Sequence, residues 1–424
     1  MNLSPQTTPT MTSKLRTICQ IGLLTVGATT QVLLTHAQSV LGSDPAPTPP
    51  AAIPYSSDPS TSVSPSTISP AIQWGQIALR PRFSYLVLYG DGVIVIPGQK
   101  ASTMQIISAG IQLNLGTHWS LDYSPTETLY SNANFNDNLS HLLSLTGRVG
   151  YGNWQFQLTQ TYTKSADILV QTARQTEQKS YNTSVSASYR FGPRMQLDST
   201  VGQNVLTINN QAATATVPST RTQFISERLS YIFTPRINAN VSFDTGYSEV
   251  NPGSDMSYTR PQLQIAWRPT DKISLNVQGG SEFRKIRSTP TRNLTIPTYS
   301  STLIYRPFTD TQLTFLTVSE ISPSYVSGQV PKNFRWNIIL DQQLFQYLHL
   351  HTGYAEEENN YVRTDNSTAA ARTEKIYLYN LRFSTTVFRK VGLTALYQHR
   401  TVNSSDTSIK FSGSYVGFQV DYRY

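Results

Sequence analysis

The chain has 424 residues, a formal charge of +8, a pI near 9.4 and a mean hydropathy of −0.30. Only 14% of its residues are charged, against roughly 25% in soluble globular domains, and past residue 40 there is no run of the roughly 20 apolar residues that a membrane helix needs. A helical membrane protein is excluded and an ordinary soluble domain is disfavoured. Abundant Ser, Thr, Asn and Gln with 24 Tyr fit a sheet whose hydrophobicity is divided between alternating positions, as in a transmembrane barrel.

At the amino end, Lys14 and Arg16 precede the mostly apolar run Ile18 to Leu34, and small residues follow at Thr35 and Ala37. This pattern predicts a secretory signal peptide over residues 1–37 with cleavage after Ala37. Met11 gives a more ordinary start for it than Met1. Cys19 is the one cysteine and falls inside this segment, so the mature chain has no disulfide and no cysteine-based metal site. Asp44 to Pro70 holds eight prolines among Ser, Thr and Ala. Proline stiffens such a stretch and denies it sheet hydrogen bonds, so residues 38–74 are expected to be a spacer. A tail that docks on another envelope protein is the alternative.

From Gly75 the chain repeats a unit of strand, short turn, strand and longer polar loop. Short turns are predicted at Gly116–His118, Gly152–Asn153, Gly192–Arg194, Thr234–Arg236, Arg268–Lys272, Arg306–Asp310, Phe345–Tyr347 and Arg389–Lys390. Gly, Pro, Asn and Asp supply the special backbone angles or stop strand pairing at most of them. Longer loops are predicted at Gly90–Ser102, Tyr130–Asn138, Lys164–Lys179, Thr207–Thr220, Ser248–Ser257, Lys285–Ile296, Ser322–Asn333, Glu357–Arg372 and Val402–Ser408. Together they separate eighteen strands with both ends on the short-turn side, an antiparallel up-and-down β-barrel of 16–18 strands over residues 75–424.

Alternation is plain in many strands. Trp154, Phe156 and Leu158 alternate with Gln155, Gln157 and Thr159, and Ile237, Ala239, Val241 and Phe243 with Asn238, Asn240, Ser242 and Asp244. Aromatics gather beside the short turns at Trp119, Trp154, Phe191, Phe233, Trp267, Tyr305, Phe345, Phe388 and Tyr424, as in an interfacial girdle. Glu227 falls on the apolar face with Leu229, Tyr231 and Phe233, so a bulge or local slip is expected there.

The other face carries Arg80, Arg82, Arg148, Arg190, Arg228, Arg260, Arg268, Arg335, Arg382, Arg400 and Arg423. Fewer acids share it: Asp122, Asp198, Asp244, Glu282, Glu320, Asp341 and Asp421. Such an excess predicts a mildly positive lumen that concentrates anions, unless Arg and Asp pair along the wall and cancel. His349 and His351 share the inward face without further ligands nearby, and Glu356, Glu357 and Glu358 read as a solvated loop tip. No metal, cofactor or nucleic-acid partner is expected. No local Ser/His/Asp arrangement marks a hydrolase, although a barrel enzyme assembles such groups in space.

The last strand alternates Phe418, Val420, Tyr422 and Tyr424 with Gln419, Asp421 and Arg423. It resembles the closing strand of Gram-negative outer-membrane β-barrels, in which the aromatic end is the signal read by the barrel-assembly machinery. Here the glycine stands at Gly417 and the last residue is Tyr. Further up, Phe411 and Tyr415 face inward, and a bulge near Gly413 or Gly417 is expected to accommodate them. Pairing of this strand with Ile77–Tyr89 would leave no edge. The Tyr-rich hairpins, the Arg-Pro turns RPTDK and RPFTD, and the Pro-rich leader resemble the β-barrel porin group associated with exopolysaccharide export. The resemblance implies an outer-membrane channel in contact with lipid, passing small, preferably anionic solutes or polysaccharide, with aromatic and Arg side chains along the path. A surface-binding barrel with an incidental pore, and a barrel hydrolase, are the alternatives.

Overall fold

The computed structural model describes residues 72–423, apart from 95–97, 99–100, 170–173, 210–216, 289, 322–328, 346, 364–371 and 389. Its strands are β1 (Ile72–Trp74), β2 (Ile77–Gly90), β3 (Ser102–Leu115), β4 (Trp119–Tyr130), β5 (Asn138–Tyr151), β6 (Trp154–Leu169), β7 (Arg174–Arg190), β8 (Met195–Asn209) and β9 (Ser219–Thr234). There follow β10 (Ile237–Asn251), β11 (Met256–Thr270), β12 (Ile273–Ile286), β13 (Arg292–Phe308), β14 (Thr311–Ile321), β15 (Gln329–Leu344), β16 (Leu348–Arg363), β17 (Thr373–Val387), β18 (Val391–Ser404) and β19 (Phe411–Arg423). Each strand from β2 onward pairs antiparallel with its successor. β19 then returns to β2, from Tyr415↔Gly90 to Arg423↔Arg82. Eighteen strands therefore close a barrel. β1 folds back on the turn-side end of β2, Trp74 pairing with Ile77, so the ordered wall begins slightly before the expected start at Gly75.

Carried once around the wall, the registers return to β2 displaced by about 22 residues. With the usual strand spacing and rise, that stagger tilts the strands by about 40° and sets a backbone radius of about 18 Å. An interior of this width is too large for wall side chains alone to fill.

Side chains on a concave face converge, and this identifies the inside. Arg82 of β2 reaches past β3 to Asp122 of β4, with Nη2–Oδ1 2.6 Å. It does so because the intervening residue is Gly110, whose added Cβ would lie 2.4 Å from the Arg82 Nε. Gln262 of β11 likewise meets Thr298 of β13 at 3.3 Å. The polar face is thus the interior. The opposite face presents half-exposed apolar groups, among them Val185 at 53%, Val241 at 58% and Leu263 at 51%. Buried apolar side chains lie elsewhere, inside the loop-side rim. There Val93 and Ile94, which follow β2, pack with Leu86, Leu88, Met104, Ile106, Ile168 and Tyr415. Gly92 N donates to Ser414 O at 2.9 Å and Ser414 N to Asp91 Oδ1 at 2.7 Å, which tethers this loop to β19.

All eight short turns lie where the sequence places them, while the strands on the loop side run further than expected. The β6–β7 hairpin continues from Lys164 to Leu169 and from Arg174 to Lys179, with Lys164 and Lys179 3.7 and 3.6 Å from Glu177. Polar composition does not end a strand that stands in water and pairs by charge. For the same reason Glu356, Glu357 and Glu358 are no loop tip: they lie within β16. Neither expected bulge forms. Glu227 pairs in unbroken register with Ser199 and Phe243. β19 is continuous from Phe411 to Tyr422, its inward Phe411 and Tyr415 being buried at the rim.

Gly116 and Gly152 hold left-handed turns with φ of 60° and 56°, and Phe345 and Phe388 adopt the same backbone with φ of 52° and 53°. A side chain in that region costs about 1–2 kcal/mol. At Phe388, 87% exposed, the ring sits at the turn-side aromatic level. Phe388→Gly is therefore expected to be more stable than Phe388→Ala by about 1 kcal/mol, measured by urea unfolding in lipid vesicles. Adjacent glycines of β12 give a second contrast. A Cβ at Gly280 would lie 2.0 Å from the Pro261 carbonyl oxygen, whereas one at Gly279 meets nothing within 4 Å. Gly280→Ala should destabilise the barrel by about 2 kcal/mol or more and Gly279→Ala should be close to neutral in the same assay.

Candidate functional site

The inward face has two zones. Toward the loops, the registers set Asp244, Arg260, Glu282, Glu320, Arg335 and Glu357 at nearly one level on β10, β11, β12, β14, β15 and β16. Arg260 bridges two acids: its Nη2 lies 3.2 Å from Asp244 Oδ2 and its Nη1 3.8 Å from Glu282 Oε2. Glu282, only 2% exposed, also takes Arg284 Nη2 at 2.6 Å. Glu320, Arg335 and Glu357 line a small recess with Val318 and Asn333. Above it, Glu374 accepts from the Tyr361 hydroxyl at 3.1 Å and pairs with Arg372, whose guanidinium lies 4.8 Å from the Tyr361 ring centre. This arc carries both signs side by side. Across the same level, β2, β3 and β19 present the apolar rim cluster. The belt is therefore charged on one side and apolar on the other.

Toward the turns, charges are spaced among amides and hydroxyls. Arg82 pairs with Asp122 and also meets Ser124. Asp198 accepts from Ser188 at 2.5 Å and Gln196 at 2.6 Å and stands opposite Arg228. Arg148 donates to Gln157 at 3.1 Å, and Asp421 accepts from Gln419 at 2.8 Å. Arg80, Arg190 and Arg382 fall in the same inward register, while Arg400, opposite Gly413 of β19, stands at the loop-side rim. Arg423 pairs with Arg82 along the backbone. Asp341 Oδ1 lies 2.6 Å from His351 Nδ1.

Sequence reasoning missed Glu357, Glu374, Arg284 and Arg372 as inward groups. All four stand on or beside the strand extensions that were read as loops. Conversely, the tyrosines expected along the path mostly face outward, including Tyr162, Tyr181, Tyr299, Tyr354, Tyr379 and Tyr397. Among the described residues, the inward ones, Tyr130, Tyr258, Tyr361 and Tyr415, stand near the loop-side rim. The outward tyrosines form a second aromatic level roughly 20 Å from the turn-side one.

His399 Nδ1 meets Ser414 Oγ at 2.8 Å on the outer face, but its Nε2 meets Thr401 Oγ1 at 3.2 Å. No carboxylate among the described residues bonds to that ring. Among the described residues, no three His, Cys, Asp or Glu side chains gather as a metal site.

At the seam, Phe418, Val420 and Tyr422 pair with Val87, Tyr85 and Phe83, and Phe418 and Tyr422 project outward at 46% and 38% exposure. Tyr424, the last member of that series, lies outside the described residues.

No family model matches the chain, and no curated protein matches it. Among solved structures it is similar to OpdL of Pseudomonas aeruginosa, with 13% identity over 83% of this chain and 99% of that one, at a TM-score of 0.47. It is similar to OccK2 (OpdF) of the same organism in complex with glucuronate, with 13% identity over 82% and 98%, at 0.48. OprD of the same organism gives 11% identity over 82% and 95%, at 0.46.

Removing one member of a buried ionic group leaves its partners uncompensated. Arg260→Met is therefore expected to destabilise the barrel by about 3 kcal/mol, while Arg148→Met, at an exposed amide contact, should cost well under about 1 kcal/mol. Vesicle unfolding titrations of the two variants give the comparison.

Proposed function

We propose that this chain spans the outer membrane as a passive channel for small polar solutes and carries out no covalent chemistry. The observation that supports this best is the inverted distribution of polarity. The closed wall is apolar on its convex face between two aromatic levels, and polar and charged on its concave face. A bilayer outside and water inside satisfy both faces, and no other pair of solvents does.

Solute class follows from the inward side chains. Few aromatic rings line the path on which sugar rings would stack, and the apolar loop after β2 fills part of the rim. Small solutes therefore suit this lumen better than a polysaccharide chain. Below the rim, Arg80, Arg82, Arg148, Arg190, Arg228, Arg268 and Arg382 outnumber Asp122, Asp198, Asp341 and Asp421, whereas at the rim acids and arginines are mixed. In this proposal the turn-side arginines set a mild anion preference and the rim contributes little net field.

Liposomes holding the purified barrel should swell in small sugars and amino acids at rates that fall with solute size. Absence of swelling with every solute would remove the channel proposal. Under a salt gradient, the reversal potential should favour anions, and the pair Arg190→Gln and Arg228→Gln should reduce that preference. An unchanged potential would assign the selectivity elsewhere.

A further inference from the structure

The outward wall is apolar at mid-height around most of the barrel. At that level β17, β18, β19 and β2 present Leu381 and Phe383, Ala395, Val420 and Tyr85. Hydroxyls interrupt it at Ser301, Thr317 and Thr352 on β13, β14 and β16, and four consecutive strands depart from it further, with an amide and a carboxylate. β6, β7, β8 and β9 each carry one polar side chain there, Gln160, Thr183, Ser199 and Glu227. They are joined in two pairs: Thr183 Oγ1 donates to Gln160 Oε1 at 2.5 Å, and Ser199 Oγ to Glu227 Oε1 at 2.6 Å. The strand is regular at Glu227, so no backbone irregularity turns the carboxylate away from the outer face. A carboxylate in the middle of an apolar belt is costly against lipid tails.

We infer that the β6–β9 wall is the contact face between two copies of this chain in the membrane. The inference rests on the membrane placement proposed above. A membrane fixes which way up each copy stands, so a two-fold axis must run parallel to the barrel axis, and every residue meets one at its own height. Gln160 and Glu227 stand at the same height by register, with Thr183 slightly above and Ser199 slightly below. They are three strands apart, about 19 Å around the wall. An axis midway between them passes in front of Val185 and Val201, which pair across β7 and β8 and are 53% and 54% exposed. Such an axis brings Glu227 of each copy to Gln160 of the other. The fit is complementary: Gln160 uses its carbonyl oxygen toward Thr183 and keeps an NH2 to donate, and Glu227 keeps Oε2 to accept. Val185 and Val201 then meet their own counterparts as the apolar centre of a self-matching patch.

The test uses the full chain with Cys19→Ser, which removes its one cysteine. Val185→Cys should cross-link in outer membranes to a species of twice the mass under a short bismaleimide. Phe383→Cys, on the opposite wall at the same height, should remain monomeric. In detergent, Glu227→Leu should weaken self-association at least tenfold and Glu227→Gln by no more than about threefold, with folding of each barrel checked by its heat-dependent gel mobility. A Val185→Cys chain that stays monomeric, or joins a species of another mass, overturns the inference, as does a folded Glu227→Leu barrel that associates like the parent. Single-barrel conductance is expected to be the same in all these variants, so loss of the dimer and loss of the channel are read separately.

Discussion

Everything in this architecture depends on one seam, the pairing of β19 with β2 from Tyr415↔Gly90 to Arg423↔Arg82. Without it the chain is a long twisted sheet with two unpaired edges and one apolar face, a form that aggregates. With it there is an inside. Closure decides that Phe418, Val420 and Tyr422 stand beside Val87, Tyr85 and Phe83 on the convex surface, and that Gln419 and Asp421 join the concave one. The seam is also short. Nine residue pairs hold it, where the β6–β7 hairpin has sixteen, because β2 leaves the wall at Gly90 while β19 continues upward. Asp91, Gly92 and Ser414 bind the departing loop to that free stretch. The tether that finishes the seam thus also seats the apolar cluster inside the rim.

From that rim follows the asymmetry of the lumen. The loop after β2, folded inward at Val93 and Ile94, makes one arc apolar, and the arc from β10 to β16 carries the charge. Arg260 lies between Asp244 and Glu282, and Arg284 adds a second cation to Glu282. Such groups stabilise one another when complete and are costly when broken. These pairs tie β10, β11 and β12 to one another across the inner face.

Strand number and turn positions were legible in the sequence because they rest on period-two alternation against an apolar face, interrupted at regular intervals by turn residues. Trp154, Phe156 and Leu158 can be read only one way. Loop ends were not legible, and the reason is physical. Under the proposed membrane placement a strand end beyond the bilayer meets water on both faces, so alternation disappears while hydrogen bonding continues, as in Lys164–Leu169 and in Glu356–Arg363. Glu357 and Glu374 were missed for this reason. The two expected bulges failed differently. Glu227 and Phe411 break the simple rule of apolar outside and polar inside, yet the backbone stays regular and the side chains find other partners: Ser199 for the first, Val402 and Ile376 for the second.

The central claim is that a water-filled passage crosses the membrane inside a closed eighteen-strand wall. Single-channel recording of the purified barrel in a planar lipid bilayer tests it most directly. The account predicts discrete, ohmic conductance steps that persist at low voltage. A bilayer that takes up folded barrel, verified by its heat-dependent gel mobility, and yet passes no current would contradict it.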